Sequence, residues 1–219
     1  MIKNIIFDFD GVIVDSEILV AKAFSKYLES LNITFSENEF STYAGNKTYQ
    51  VIDELSDKFN IQDKKKFFDD IMNMANNIYS NDLEPVEGAR NFLENNTKQV
   101  FIGSNSIKTR VLLGLRKIEL QNFFAEDKIF TADLVKNPKP HPDIYLKVVE
   151  TYRLVKSETV IIEDSVVGVR SGVAAGIKVI GFTAGKHWYK GRSKKELIDA
   201  KASDLINSYD NLMEKINSL

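Results

Sequence analysis

The chain of 219 residues contains no cysteine, which excludes disulfides, thiolate metal sites and cysteine nucleophiles. Long apolar runs are missing as well. None approaches the roughly 18 residues that a membrane-spanning helix needs. The apolar stretch at the N-terminus is interrupted by Asp8 and Asp10, and no small-residue cleavage site follows, so a cytoplasmic protein is expected. Neither sign of charge is in excess: 29 basic against 31 acidic residues leave a net charge of -2. That balance gives no global attraction to nucleic acid or to an anionic membrane. Lys64, Lys65 and Lys66, and the pair Lys194 and Lys195, fit solvated helix faces. There is no internal repeat, low-complexity segment or Pro/Gly-rich linker.

What remains is a soluble globular composition, 43% hydrophobic and 27% charged, in a chain long enough for one large domain or two modest ones. Short β-branched runs at 4–9, 99–103, 128–130, 159–162 and 178–181 predict strands buried on both faces. Helical patterns lie between them at 108–117, 143–152, 166–175 and near 210–216. Pro142 suits a first helical position. Ser193 with Glu196 spells a capping box for one more short helix. Strands alternating with helices predict an α/β fold, a Rossmann-like parallel sheet with helices on both faces.

Residues 16–84 break the alternation. Val20, Phe24, Tyr27, Leu28 and Leu31 share one helical face, as do Phe67, Ile71, Met74, Ala75 and Ile78. Val51, Leu55 and Phe59 fit another helix, and Ser36 with Glu39 forms a capping box. The expected organisation is a core of 1–15 and 85–219 with a helical cap of 16–84. The chain would leave the sheet near Val14 and return near Pro85. Ligands of open parallel sheets bind beyond the carboxyl ends of the strands, so such a cap would hang over the end of strand 1.

That end carries two acids. Asp8 and Asp10 point to one side of an extended chain, about 7 Å apart, and repel unless a cation lies between them. The other strand ends carry matching groups. Ser104 and Asn105 follow the second strand, where a hydroxyl and helix-start N–H groups can hold phosphate oxygens. Lys139 is pinned between Pro138 and Pro140, and Glu163 and Asp164 close a further buried strand. Any one of these serves as a cap, a turn or a surface charge. Together at strand ends they point to a metal and a reacting anion.

This set resembles the haloacid dehalogenase superfamily of phosphohydrolases, nearly end to end. The first motif reads Asp8-Phe9-Asp10-Gly11-Val12, the second is Ser104, the third Lys139, and the fourth Glu163-Asp164. Asp15-Ser16-Glu17, Lys139-Pro140-His141-Pro142-Asp143, Gly168 and Ala174-Ala175-Gly176 resemble the branch whose helical cap follows the first motif. The resemblance implies a Mg²⁺ site formed by Asp8, the Asp10 carbonyl and Asp164, with Glu163 in an outer or water-mediated position. It implies Asp8 as nucleophile, forming an aspartyl-phosphate, and Asp10 as acid and then base. Ser104, Asn105 and Lys139 would bind the phosphoryl group. No histidine is required, and His141 is expected to support the third-motif loop.

The acid at position 10 favours phosphate esters over halide or phosphonate chemistry. Phosphosugar mutases of the branch are the nearest alternative, but they resemble this chain less at Val20, where they carry histidine, and at Thr48, where they carry arginine. A receiver-like phospho-switch is an alternative of another class; it would be shorter and would lack the helical insertion. The expected substrate is a small phosphorylated metabolite, a sugar phosphate or phosphorylated sugar acid. Glu17, Asn46 and Lys47 are the candidates for its recognition. Residues 186–190 are expected to form a loop near the site's mouth. The chain is expected to act as a monomer, with a dimer left open.

Overall fold

The structure is a computed structural model that describes every residue except 41, 42, 44–47 and 189–191, together with the side chain of Asn38. Its sheet is built from β1 (Asn4–Phe7), β2 (Gln99–Ser104), β3 (Ile129–Thr131), β4 (Thr159–Glu163), β5 (Lys178–Phe182) and β6 (Asp204–Ile206). The strand order is β3-β2-β1-β4-β5-β6, and all neighbours are parallel. Strand order therefore reverses beside β1, and in open α/β sheets the crevice at such a reversal is where ligands bind.

Side chains alternate across the sheet as the two-residue period requires. Ile5, Phe7, Ile102, Ile162 and Phe182 enter one apolar cluster, and Ile6, Phe101, Ile161 and Val179 enter the other. On the first face pack α5 (Ala89–Asn95), α6 (Lys108–Lys117) and α10 (Leu212–Asn217). On the second pack α7 (Asp143–Tyr152), α8 (Val166–Ala174) and α9 (Lys195–Asp199). The expected α/β architecture with helices on both faces is what the chain forms.

Between β1 and β2 lie α1 (Glu17–Ser30), α2 (Glu37–Phe40), α3 (Thr48–Phe59) and α4 (Lys64–Asp82). They share an apolar cluster of their own, built on Phe24, Leu28, Val51, Leu55, Phe67 and Ile71. Tyr27 stacks on Phe67 with ring centroids 4.9 Å apart. The Ser36–Glu39 box forms as expected: Ser36 N donates to Glu39 Oε2 at 2.8 Å, and Glu39 N donates to Ser36 Oγ at 3.2 Å. The insertion departs and returns through paired chain. Val14 bridges Pro85 in antiparallel sense, Asp15 N donates to Glu84 O, and Val86 N donates to Ile13 O, both at 3.0 Å.

Two local expectations need correction, and two short elements lie outside what the sequence pattern predicts. β6 and α5 were not expected from the sequence; β6 is three residues long and α5 seven, too short to display a period. The Ser193–Glu196 box does not form, although Ser193 Oγ accepts from Lys195 N, the first helical N–H of α9, at 3.3 Å. The helix begins later, Lys194 is its N-cap, and Glu196 turns instead to Arg192, with Arg192 Nε donating at 3.0 Å. Pro142 stands one residue before α7, as its N-cap rather than its first residue.

Candidate active site

Asp8 continues the line of β1, where its N–H donates to Ile162 O at 2.9 Å. The chain then turns sharply: Ile13 N and Val14 N both donate to Phe9 O, at 2.9 and 3.0 Å. Gly11 makes this turn with φ of 76°, a conformation that side-chain-bearing residues rarely adopt. A β-carbon at Gly11 would also run into the Asp164 carboxylate. The second strand end is thereby brought against the first.

Lys139 ties the acids together. Its Nζ lies 2.9 Å from Asp8 Oδ1 and 2.5 Å from Glu163 Oε1, and 4.9 Å from the centre of the Tyr145 ring. Asn105 holds the backbone behind it, accepting from Lys139 N at 2.9 Å and donating to Lys139 O at 3.2 Å. Both ends of the Asn105 amide are thus engaged on the lysine segment. His141 secures the same segment through its backbone: its carbonyl accepts from Ser171 Oγ on α8 at 2.7 Å.

Glu163 is fully buried and fully partnered. Besides Lys139 it accepts from Tyr145 Oη at 2.9 Å, Ser165 N at 3.1 Å and Ser165 Oγ at 3.0 Å. A β-carbon at Gly168 would overlap its carboxyl group, so α8 approaches this closely only with glycine there. Asp10 is held by two hydroxyls, Ser16 Oγ at 2.6 Å and Ser106 Oγ at 2.7 Å. Ser104 is buried at the end of β2, and its Oγ accepts from Ser106 N at 3.0 Å.

The electrostatics are unbalanced. Carboxylate oxygens of Asp8, Glu163 and Asp164 lie within 4.8 Å of one another, against the single ammonium of Lys139. Burial, then repulsion from Glu163, pushes the Asp8 carboxyl well above the usual range despite the opposing Lys139. Asp164 is raised in the same way, by burial and then by Glu163. For Lys139 burial works against the charge, but Asp8 and Glu163 overcome it and hold the ammonium protonated. A cluster of hard oxygen donors with surplus negative charge fits a divalent cation such as Mg²⁺.

The residues open into a cavity of about 490 Å³. The core contributes Asp8, Asp10, Ser104, Lys139 and Asp164; the insertion contributes Val20, Phe24, Phe40, Thr48 and Val51. Glu17 keeps exposed surface, but that surface faces this enclosed space. Loss of bulk solvent there pushes its carboxyl up to about 7, with His187 opposing and Asp164 and Asp10 reinforcing. Asn46 and Lys47 lie outside the described residues.

The sequence profile described as haloacid dehalogenase-like hydrolase matches residues 5–182. The chain belongs to that family. Among relatives of this haloacid dehalogenase-like hydrolase is the 6-phosphogluconate phosphatase of Escherichia coli, 27% identical over 188 residues, covering 85% of each chain. Another is the phosphorylated carbohydrates phosphatase of Thermotoga maritima, 29% identical over 81% of this chain and 83% of that one. A solved haloacid dehalogenase-like protein of unknown function from Agrobacterium tumefaciens superposes with a TM-score of 0.89 at 31% identity, covering 100% of this chain and 99% of that one.

In this hydrolase the structure gathers Asp8, Asp10, Glu17, Ser104, Asn105, Lys139 and Asp164 around one cavity, with Glu163 directly behind Lys139. It adds residues to which sequence reasoning gave no role in the site. Ser16 and Ser106 grip Asp10, and Tyr145 supports Glu163. His187 Nε2 lies 3.0 Å from Asp164 Oδ2; burial pulls this imidazole down to about 4, so it is neutral near pH 7. Arg110 also lines the cavity. The serines left a signal as hydroxyls beside the first and second motifs, and His187 lies in the 186–190 segment expected near the site's mouth; Tyr145 and Arg110 left none. Among the described residues no helix is long and apolar enough to cross a membrane.

Proposed function

We propose that the chain is a Mg²⁺-dependent phosphatase acting on a small phosphorylated carbohydrate through an aspartyl-phosphate. The observation that carries this reading is the bridge from Lys139 to both Asp8 and Glu163 beside Asp164, opening into the cavity. The names of the two curated relatives, phosphatases of 6-phosphogluconate and of phosphorylated carbohydrates, support the substrate class. Residues 1–15 and 85–219 serve as the catalytic core, and 16–84 as a cap that completes the pocket.

In the reaction, an Asp8 oxygen attacks phosphorus in line with the ester bond. The bond to the leaving oxygen breaks while Asp10 gives that oxygen its proton. Asp10 then takes a proton from water as the water attacks phosphorus, and the bond to Asp8 breaks to release phosphate. Lys139 and Ser104 hold the non-bridging oxygens and offset their charge. Ser16 and Ser106 keep the Asp10 carboxyl aimed, and Asn105 keeps Lys139 in place. Asp8, Asp164 and the Asp10 carbonyl would hold Mg²⁺, with Glu163 behind them; bound there, it supplies the positive charge that lets an anionic carboxylate approach an anionic phosphate.

Hydrolysis is favoured over a mutase by the cavity wall. Val20 and Thr48 both line it, and neither offers the imidazole or guanidinium of the mutase pattern. Family membership leaves the receiver-like switch without support. The test is phosphate release from a panel of sugar phosphates, phosphorylated acids and nucleotides, with and without Mg²⁺. Turnover should be confined to Mg²⁺-containing assays, and Asp8→Asn should abolish nearly all of it. Full activity in that variant would overturn the assignment.

A further inference from the structure

Arg110 sits in the first turn of α6 and lines the cavity together with Asp8, Asp10 and Lys139. Its guanidinium carbon lies 3.8 Å from the centre of the Tyr79 ring, which belongs to α4 of the insertion. Tyr79 Oη is directed at the carbonyl of Arg110 itself, at 3.4 Å. The planar fork is thus laid on an aromatic face. Among the described residues no carboxylate pairs with it, and none of its side-chain donors has a protein acceptor.

The other cations of the cavity are committed. Lys139 bridges Asp8 and Glu163, and Arg192 holds Glu196 at 2.8 Å. Among the described lining residues Arg110 alone keeps an unpaired positive charge. It forms no ion pair with Asp8, Asp10 or Asp164, so its charge is not taken up by the acids that handle the transferring phosphoryl group. A guanidinium with free donors in a partly enclosed cavity is matched by a planar oxyanion accepting two hydrogen bonds. One charge matches a carboxylate; a second phosphate would bring more negative charge into a wall that already carries Asp8, Asp10, Glu17 and Asp164.

We propose that Arg110 is a specificity determinant that binds a carboxylate at the end of the substrate remote from its phosphate. Phosphorylated sugar acids are then preferred to neutral sugar phosphates of the same length. This rests on the phosphatase reading above.

The experiment measures steady-state phosphate release by the full chain with Mg²⁺ on 6-phosphogluconate, on sorbitol 6-phosphate as its neutral open-chain counterpart, on fructose 1,6-bisphosphate, and on p-nitrophenyl phosphate. For the wild type, kcat/KM for the acid should exceed that for the neutral compound by roughly 10- to 100-fold, the range for hydrogen bonds to a charged group. Arg110→Gln should collapse that ratio toward one, chiefly through KM for the acid. Arg110→Lys should give an intermediate ratio, since it keeps the charge and loses the fork; it also carries the comparison if the glutamine variant melts early. A wild-type ratio near one, a preference for the bisphosphate, or a parallel loss on acid and neutral substrates in Arg110→Gln would overturn the proposal while leaving the phosphatase reading intact. No release from any of the four compounds would remove that reading and this proposal with it.

Discussion

Lys139 and Glu163 are joined by a 2.5 Å contact between two side chains that water barely reaches, with relative exposures of 3% and 0%. The glutamate does not face the cavity, so its task is to hold the lysine that does. The pair converts a flexible ammonium into a fixed charge beside Asp8.

Removing one partner should therefore cost more than removing both. Lys139→Ala leaves Glu163 buried with an uncompensated charge, a loss of about 3–5 kcal/mol by analogy with broken buried pairs. The double variant with Glu163→Gln should recover part of that stability without recovering activity. Urea denaturation measures the first effect and phosphate release the second.

A divalent cation should bind where the carboxylates crowd. Mg²⁺ at about 100 times its dissociation constant should stabilise the fold by about 2.7 kcal/mol, read as a rise in melting temperature. Asp164→Asn should lose most of that rise, and chelation should silence the wild-type enzyme.

The two serines on Asp10 should matter to turnover and little to binding. Ser16→Ala and Ser106→Ala each remove a hydrogen bond to a carboxyl group that must keep its aim, so each should lower kcat roughly tenfold or more with KM nearly constant. Equal melting temperatures would show that the change lies in the chemistry.

Glu17 should give a pH signature in stability. Its folded carboxyl is raised from 4.5 to about 7, so the folded state binds the proton more tightly than the unfolded state. Protonated Glu17 is tolerated at low pH; as pH rises from 4.5 toward 7, keeping it folded increasingly costs stability. Glu17→Gln should thus match wild type near the acid end and melt higher than wild type near pH 8. Melting curves of both proteins across that range, without metal, would show the gap widening; a constant gap would refute the shift.

The fold was legible where patterns were long. The helices at 108–117 and 143–152 end where their periods end, and the five apolar runs are strands within one or two residues. β6 escaped because Asp204, Leu205 and Ile206 pair only with β5 and carry too little apolar sequence to stand out. In the site, Asp8, Ser104, Lys139 and Asp164 could be read because each follows a strand and its chemistry is uncommon there. Arg110 and Tyr145 could not. Both look like ordinary amphipathic helix residues, and only the packing of α4 against α6, or of α7 against the end of β4, gives them partners. Asn105 shows the converse: its position suggested a ligand contact, whereas its amide is taken up by the lysine segment.

The antiparallel crossing of Val14 with Pro85 brings the two ends of a seventy-residue excursion side by side. For the sheet, that excursion is topologically equivalent to one short surface loop. Changes of length within it leave strand register alone, because its ends remain adjacent whatever lies between them. The insertion is nonetheless not a free passenger, because Leu19, Ile78 and Tyr79 pack into the apolar cluster of the sheet's first face.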